Sequence, residues 1–111
     1  MRVLIIEDDV ILALDLKRML GRLGHEVAAL ATTLDEGLMR IEKGGFDIAV
    51  IDLNLRGQSG TELPRLLFKK GLPAIITTGY DAKNLPEDLG VCPCLGKPYN
   101  IKDLEAVLNA I

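Results

Sequence analysis

Short apolar runs alternate with amphipathic segments along the whole chain, and this alternation is the feature that most constrains the fold. Apolar runs that alternate with helical patterns predict β-α-β units and a parallel sheet. The runs are continuously apolar, as expected for strands that helices cover on both faces. The sequence therefore predicts an α/β domain with a parallel sheet. The predicted strands are 2–6, 26–31, 47–51, 73–77 and a short fifth strand at 91–95.

Helix signals lie between these runs. Leucine and methionine recur at helical spacing from 9 to 22. Asn100 is expected to cap a final helix, which carries Leu104, Val107, Leu108 and Ile111. Two four-residue stretches have the capping-box form, Thr33 to Glu36 and Ser59 to Glu62, and each predicts a helix start. The stretch 80–90 holds Pro86 and carries little helix signal, so a fourth helix there should be short or mobile.

Composition narrows the classes of function. The chain has 111 residues, which predicts a single domain over 1–111. A net charge of −3 with no basic run argues against direct binding to nucleic acid. No apolar stretch approaches the ~20 residues of a membrane helix, and the acidic turn after Ile6 does not fit a signal peptide. With only Cys92 and Cys94, we expect reduced thiols in a cytoplasmic protein without membrane association.

The reactive residues follow the predicted strands. Because the carboxyl ends of parallel strands share one edge, their side chains should meet there, where ligands of open α/β sheets bind. The residues are Glu7, Asp8 and Asp9 after the first strand, Asp52 after the third, Thr78 after the fourth and Lys97 after the fifth.

Such a group of residues has a definite chemistry. Three neighbouring carboxylates cannot all stay ionised unless a cation holds them, and oxygen ligands without His or Cys favour Mg²⁺. Lys97 adds a positive charge and Thr78 a hydroxyl donor, so Asp52 is placed to attack a phosphoryl group. Each residue alone also fits a structural role, as a helix start, a turn cap, a strand residue or a solvated turn.

Four motifs, VLIIEDD, IAVIDLNLRGQSG, PAIITTGY and LGKPY, appear in this order along essentially the whole chain. Together they resemble the receiver domain of two-component response regulators. The resemblance implies a flavodoxin-like doubly wound sheet of five parallel strands in the order 2-1-3-4-5. It also implies site roles: Asp52 as phosphoacceptor and metal ligand, Asp8 as direct metal ligand, Glu7 as ligand through water, the Asn54 backbone carbonyl as ligand, and Thr78 and Lys97 as phosphoryl-binding groups. Pro98 would follow a cis bond.

The chain departs from the common receiver pattern at one switch position. Cys94 stands three residues before Lys97, where many receivers carry Tyr or Phe, so the usual aromatic coupling to Thr78 is absent. The Thr-Gly-Tyr sequence at 78–80 and the short stretch that follows it resemble the receiver subgroup called FATGUY. In that subgroup Tyr80 could supply part of the switch, or it could serve only as a packing residue or partial lid.

The resemblance further implies partners. A sensor histidine kinase or phosphotransfer protein would phosphorylate Asp52, and a downstream protein target would recognise the switched surface of a monomer or weak homodimer. The domain would catalyse only its own phosphoryl transfer and slow dephosphorylation, and no output domain is expected in this sequence. Three alternatives stay open: a pseudo-receiver that is never phosphorylated, a phosphatase with an aspartyl-phosphate intermediate, and a piece of a longer hybrid kinase or transcription factor.

Overall fold

A computed structural model describes residues 1–79 and 85–111. A five-stranded sheet and four α-helices form the fold, and a small hairpin and one 3₁₀ turn are added to it. The sheet consists of β1 (Arg2–Ile6), β2 (Glu26–Ala31), β3 (Ile48–Asp52), β6 (Ala74–Thr78) and β7 (Cys94–Gly96), and the hairpin of β4 (Asn54–Leu55) and β5 (Gln58–Ser59). The helices are α1 (Val10–Arg22), α2 (Leu34–Lys43), α3 (Glu62–Lys69) and α4 (Ile101–Asn109), and the 3₁₀ turn is Glu87–Leu89.

The sheet order is β2-β1-β3-β6-β7, and all its pairings are parallel. Because side chains alternate between the faces of a strand, β1 contributes to two separate cores. Val3 and Ile5 pack in one core with residues of α1 and α4, whereas Leu4 and Ile6 pack in the other with residues of α2 and α3. The predicted doubly wound fold and its 2-1-3-4-5 order are therefore confirmed.

Two helix starts follow from side-chain caps that the sequence predicts. The Thr33 hydroxyl accepts a hydrogen bond from the backbone N–H of Glu36 at 3.1 Å. At α4, the Asn100 side chain accepts from the Asp103 N–H at 2.9 Å, and the Asp103 carboxylate accepts from the Asn100 N–H at 3.1 Å. These contacts satisfy backbone donors that the first helical turn leaves without a partner.

The predicted capping box at Ser59 is wrong. Ser59 lies in β5, and Thr61 stands at the start of α3 with helical dihedral angles and no side-chain cap. The Ser59 hydroxyl contacts the Thr61 hydroxyl at 3.1 Å instead. Ser59, which the sequence pattern predicted as a helix cap, is therefore part of the hairpin.

Boundaries near the end of the chain also differ from the predictions. The fifth strand begins at Cys94 rather than at 91, because the Cys92 N–H bonds the Leu89 carbonyl and continues the preceding turn. Helix α4 ends at Asn109, so Ile111 lies beyond it and is 49% exposed.

Of the stretch predicted to form a short fourth helix, residues 85–90 contain only the 3₁₀ turn at Glu87–Leu89. Residues 80–84, including Tyr80, lie outside the described part of the chain. Within the described ranges, the helices are too short and too polar to cross a lipid bilayer.

The cap of α4 gives a stability prediction. Asn100→Ala should lower the free energy of unfolding by about 1 kcal/mol, because it removes the acceptor for the Asp103 N–H. Urea unfolding followed by circular dichroism measures this change. Lys102→Ala on the exposed surface of the same helix is the matched control. Equal stability of the two variants would show that the cap contributes nothing.

Candidate functional site

The site lies where β1 and β3 end side by side. Ile6 pairs with Ile51 across these parallel strands, so the next residues, Glu7 and Asp52, emerge together at the carboxyl edge. β3 also pairs with β6, which brings Thr78 to the same edge. The close approach of residues far apart in the sequence is thus a direct consequence of strand register.

Three carboxylates gather at this edge. Glu7, Asp8 and Asp52 each offer an oxygen, and these oxygens all lie within 4.8 Å of one another. Glu7 is only 4% exposed, which is unusual for a glutamate. The donor set consists of oxygen alone and Asp8 is partly exposed, so the cluster fits a hard divalent cation such as Mg²⁺.

The Lys97 ammonium compensates part of this negative charge. It donates to Glu7 Oε1 at 2.8 Å and to Asp52 Oδ2 at 2.9 Å. The Lys97 side chain is 22% exposed, so solvent screens these bonds less than it would screen a surface pair. The peptide bond between Lys97 and Pro98 is cis, as the resemblance implies.

Asp52 and Asp8 also accept bonds from the backbone that follows β3. Asp52 Oδ1 accepts from the Asn54 N–H at 2.9 Å, and Asp8 Oδ2 accepts from the Arg56 N–H at 3.0 Å. Asp9 instead accepts from the Ile11 and Leu12 N–H groups and caps α1. Its side chain therefore has a structural role, which agrees with its omission from the predicted ligands.

The β4–β5 hairpin, which supplies the Arg56 N–H, was not predicted from the sequence. Arg56 and Gly57 form its turn with φ values of 54° and 80°, and positive φ at both central residues defines a primed hairpin turn. The signal that could have revealed it is Gly57, a residue type that adopts positive φ at no steric cost. An arginine before that glycine is a weaker cue than the usual Asn or Asp.

A cavity of about 430 Å³ opens beside Asp52. Thr78 and Lys97 line it together with Leu85 and Pro86, so the predicted hydroxyl and ammonium reach the same space as the acid. The backbone N–H of Lys97 donates a hydrogen bond to the backbone carbonyl of Thr78 at 2.6 Å. This bond joins the ends of β6 and β7. Asn54 lines the same cavity.

Burial and charge shift the pKa values in this cluster. Desolvation raises the pKa of Glu7 to about 7, although its bond to Lys97 acts in the opposite direction. Burial also acts to raise the pKa of Asp8, but hydrogen bonds from Glu7 and from the Arg56 N–H outweigh it and lower the value. Burial acts to lower the pKa of Lys97, but the bonds to Glu7 and Asp52 raise it overall. Lys97 therefore stays charged while Glu7 titrates near neutral pH.

Comparison with known families agrees with this geometry. The response regulator receiver domain family matches residues 3–109. The chain is 37% identical over 116 residues to the two-component response regulator PhoP of Pseudomonas aeruginosa, and the match covers 100% of this chain and 51% of PhoP. It is 34% identical over 113 residues to the sensory transduction protein RegX3 of Mycobacterium tuberculosis, covering 98% and 49%. The chain thus spans about half the length of these relatives.

Solved structures show the same likeness. SdrG from Sphingomonas melonis Fr1 superposes with a TM-score of 0.88 at 29% identity, and the match covers 98% of this chain and 93% of SdrG. A CheY-like response regulator receiver domain protein from Methanospirillum hungatei gives a TM-score of 0.82 at 32% identity, with coverages of 98% and 90%. SdrG has also been solved in a BeF3-activated conformation, which matches at a TM-score of 0.84 and 29% identity, with coverages of 98% and 93%.

The raised pKa of Glu7 predicts a pH-dependent stability. Its value moves from 4.5 to about 7 on folding, so the folded state favours the protonated form. The stabilisation that protonated Glu7 gives to the folded state is complete below pH 4.5 and is lost as the pH rises through about 7. Without divalent cations, Glu7→Gln should therefore become more stable relative to the wild type over that interval. Urea unfolding at several pH values measures the difference, and a constant difference would contradict the assignment.

Proposed function

Because the chain belongs to the family of response regulator receiver domains, we propose that it is a phosphorylation-dependent switch that accepts a phosphoryl group on Asp52. The observation that carries the proposal is the bond from Lys97 to Asp52 within a cluster of three acids beside an open cavity. A carboxylate nucleophile, an ammonium and oxygen ligands for a cation are the groups that phosphoryl transfer requires.

The proposed metal ligands are Asp8, Asp52 and the Asn54 backbone carbonyl, with Glu7 acting through a bound water. A Mg²⁺ ion at this position would neutralise charge on the oxygens of the transferred group. The Arg56 N–H holds Asp8 Oδ2 in place, and the Asn54 N–H holds Asp52 Oδ1. These backbone donors orient two ligands before any ion binds, which reduces the reorganisation that binding requires.

Phosphoryl transfer would use the chain's own groups as follows. An Asp52 carboxylate oxygen attacks phosphorus, and the bond to the donor's leaving group breaks. Lys97 shifts from its bonds with Asp52 and Glu7 toward an oxygen of the transferred group, where its charge is needed. Thr78, which lines the same cavity, donates its hydroxyl to another of these oxygens. The group adds up to about two negative charges, enough to rearrange the loops after β6 and β7.

The proposed partners follow from the family. A sensor histidine kinase or phosphotransfer protein supplies the phosphoryl group, and a downstream protein recognises the switched surface of a cytoplasmic monomer or weak homodimer. The domain catalyses only its own phosphorylation and slow dephosphorylation. The relatives PhoP and RegX3, named as regulatory and sensory transduction proteins, support this assignment to signalling. Membership of the FATGUY subgroup remains a prediction. So does a switch role for Tyr80, which would replace the aromatic residue that many receivers carry at the position of Cys94.

Incubation with Mg²⁺ and acetyl phosphate tests the proposal. The wild type should gain the mass of one phosphoryl group, which peptide mapping should locate on Asp52. Asp52→Asn should abolish the gain. Lys97→Ala should slow it by about tenfold or more, because a charged donor to the transferred group is lost. Lys17→Ala, which removes an exposed lysine on α1, is the matched control.

Two outcomes would overturn the proposal. Absence of a mass gain on Asp52 of the folded wild type would indicate a pseudo-receiver. Steady turnover of a generic phosphate ester that Asp52→Asn abolishes would indicate a phosphatase instead.

A further inference from the structure

One wall of the cavity beside Asp52 is held in place from outside the site. Leu85 and Pro86 line the cavity, and the chain then continues through the 3₁₀ turn to Cys92. We call residues 85–92 the wall segment. Its turn carries Asp88, and α3 carries Arg65 opposite it. The two side chains form a forked ion pair with bonds of 2.8 Å from Nε to Oδ2 and 3.1 Å from Nη2 to Oδ1.

The fork is the one ion pair that joins the wall segment to a helix among residues 1–79 and 85–111. Each partner stabilises the charged form of the other: the hydrogen bonds between them raise the pKa of Arg65 and lower that of Asp88. A two-bond Arg–carboxylate fork fixes orientation as well as distance, which a single lysine contact would not do. The geometry is therefore suited to holding the turn in one position.

Apolar contacts connect the wall segment to the phosphoacceptor. Leu89 and Cys92 are buried in a small cluster with Ile76, and Leu53 and Leu85 pack against it. Leu53 directly follows Asp52, and it also packs against the core beneath α2 and α3. A backbone change at Asp52 would therefore be transmitted to the wall segment through the Leu53 side chain. Packed clusters of this kind shift between discrete arrangements rather than deform gradually.

Both oxygens of Asp52 are engaged, one by the Asn54 N–H and the other by the Lys97 ammonium. Transfer requires Lys97 to release its oxygen, and the new group must then occupy the cavity that Leu85 and Pro86 border. A contact that fixes the wall segment opposes any movement of Leu85 and Pro86 that accompanies this change.

We propose that Arg65 and Asp88 are positioning residues that form a latch. The latch stabilises the arrangement of the wall segment that accompanies the Lys97–Asp52 bond, and so sets how readily the site accommodates a phosphoryl group on Asp52. This inference rests on the proposed function, and it adds a control element that touches none of the reacting atoms. Because the ion pair is exposed, its loss should change the affinity of the site for a phosphoryl mimic by only about two- to fivefold.

Beryllofluoride with Mg²⁺, used as a phosphoryl mimic, tests the latch in the whole chain. Arg65→Gln and Asp88→Asn should each bind it about two- to fivefold more tightly than the wild type in an amide NMR titration. The double variant should bind no more tightly than either single variant. The exchanged pair, Arg65→Asp with Asp88→Arg, should return the affinity toward the wild-type value. Glu87→Gln, which neutralises the adjacent exposed acid in the same turn, is the matched control.

Hydrogen exchange gives a second readout that does not depend on the mimic. The amides of Leu89, Gly90 and Cys92 bond to carbonyls within the wall segment. These amides should exchange about two- to fivefold faster in both single variants than in the wild type, whereas the exchange rates of the β3 amides should not change. Wild-type affinity and wild-type exchange in both single variants would overturn the latch alone. Failure of the wild type to bind beryllofluoride would overturn the proposed function and the latch together.

Discussion

The contact on which the site depends is the pair of bonds from one ammonium to two carboxylates that end neighbouring strands. Lys97 reaches Glu7 at 2.8 Å and Asp52 at 2.9 Å. One pair of unit charges at ~4 Å is worth ~4 kcal/mol near a protein surface, so this contact offsets much of the desolvation of two acids. It cannot also neutralise Asp8. The remaining charge is reduced either by a proton on Glu7, whose pKa rises to about 7, or by a divalent cation.

The parallel sheet positions the charged residues accurately. Continuous apolar strands are buried between two helical layers, and their pairing fixes where each chain segment leaves the sheet. The pairing of Ile6 with Ile51 places Glu7 beside Asp52. The pairing of Thr78 with Gly96 brings Lys97 next to the end of β6. Functional residues at the last position of a rigid strand or directly after it are positioned as accurately as the sheet itself.

Much of this could be predicted from the sequence because the relevant signals are local and periodic. Apolar runs specify strands, Thr33 and Asn100 specify helix starts, and a parallel sheet brings every carboxyl end to one edge. The strand order needed the family resemblance, since periodicity does not determine it. The β4–β5 hairpin was missed because two-residue strands have no measurable period, and its turn uses Arg56 where Asn or Asp is usual. The Ser59 cap failed for the same reason. The fork between Arg65 and Asp88 joins residues 23 positions apart through tertiary packing, which no local pattern records.

The central claim is that the three acids and Lys97 form a cation site whose charge is completed by Mg²⁺. Calorimetric titration with Mg²⁺ at pH 7 in buffers of different ionisation enthalpy tests it most directly. We expect saturable binding of one ion and release of a fraction of a proton, because Glu7 must ionise as the cation enters. Asp8→Asn should weaken this binding strongly. Absence of saturable binding, or binding that Asp8→Asn leaves unchanged, would contradict the claim.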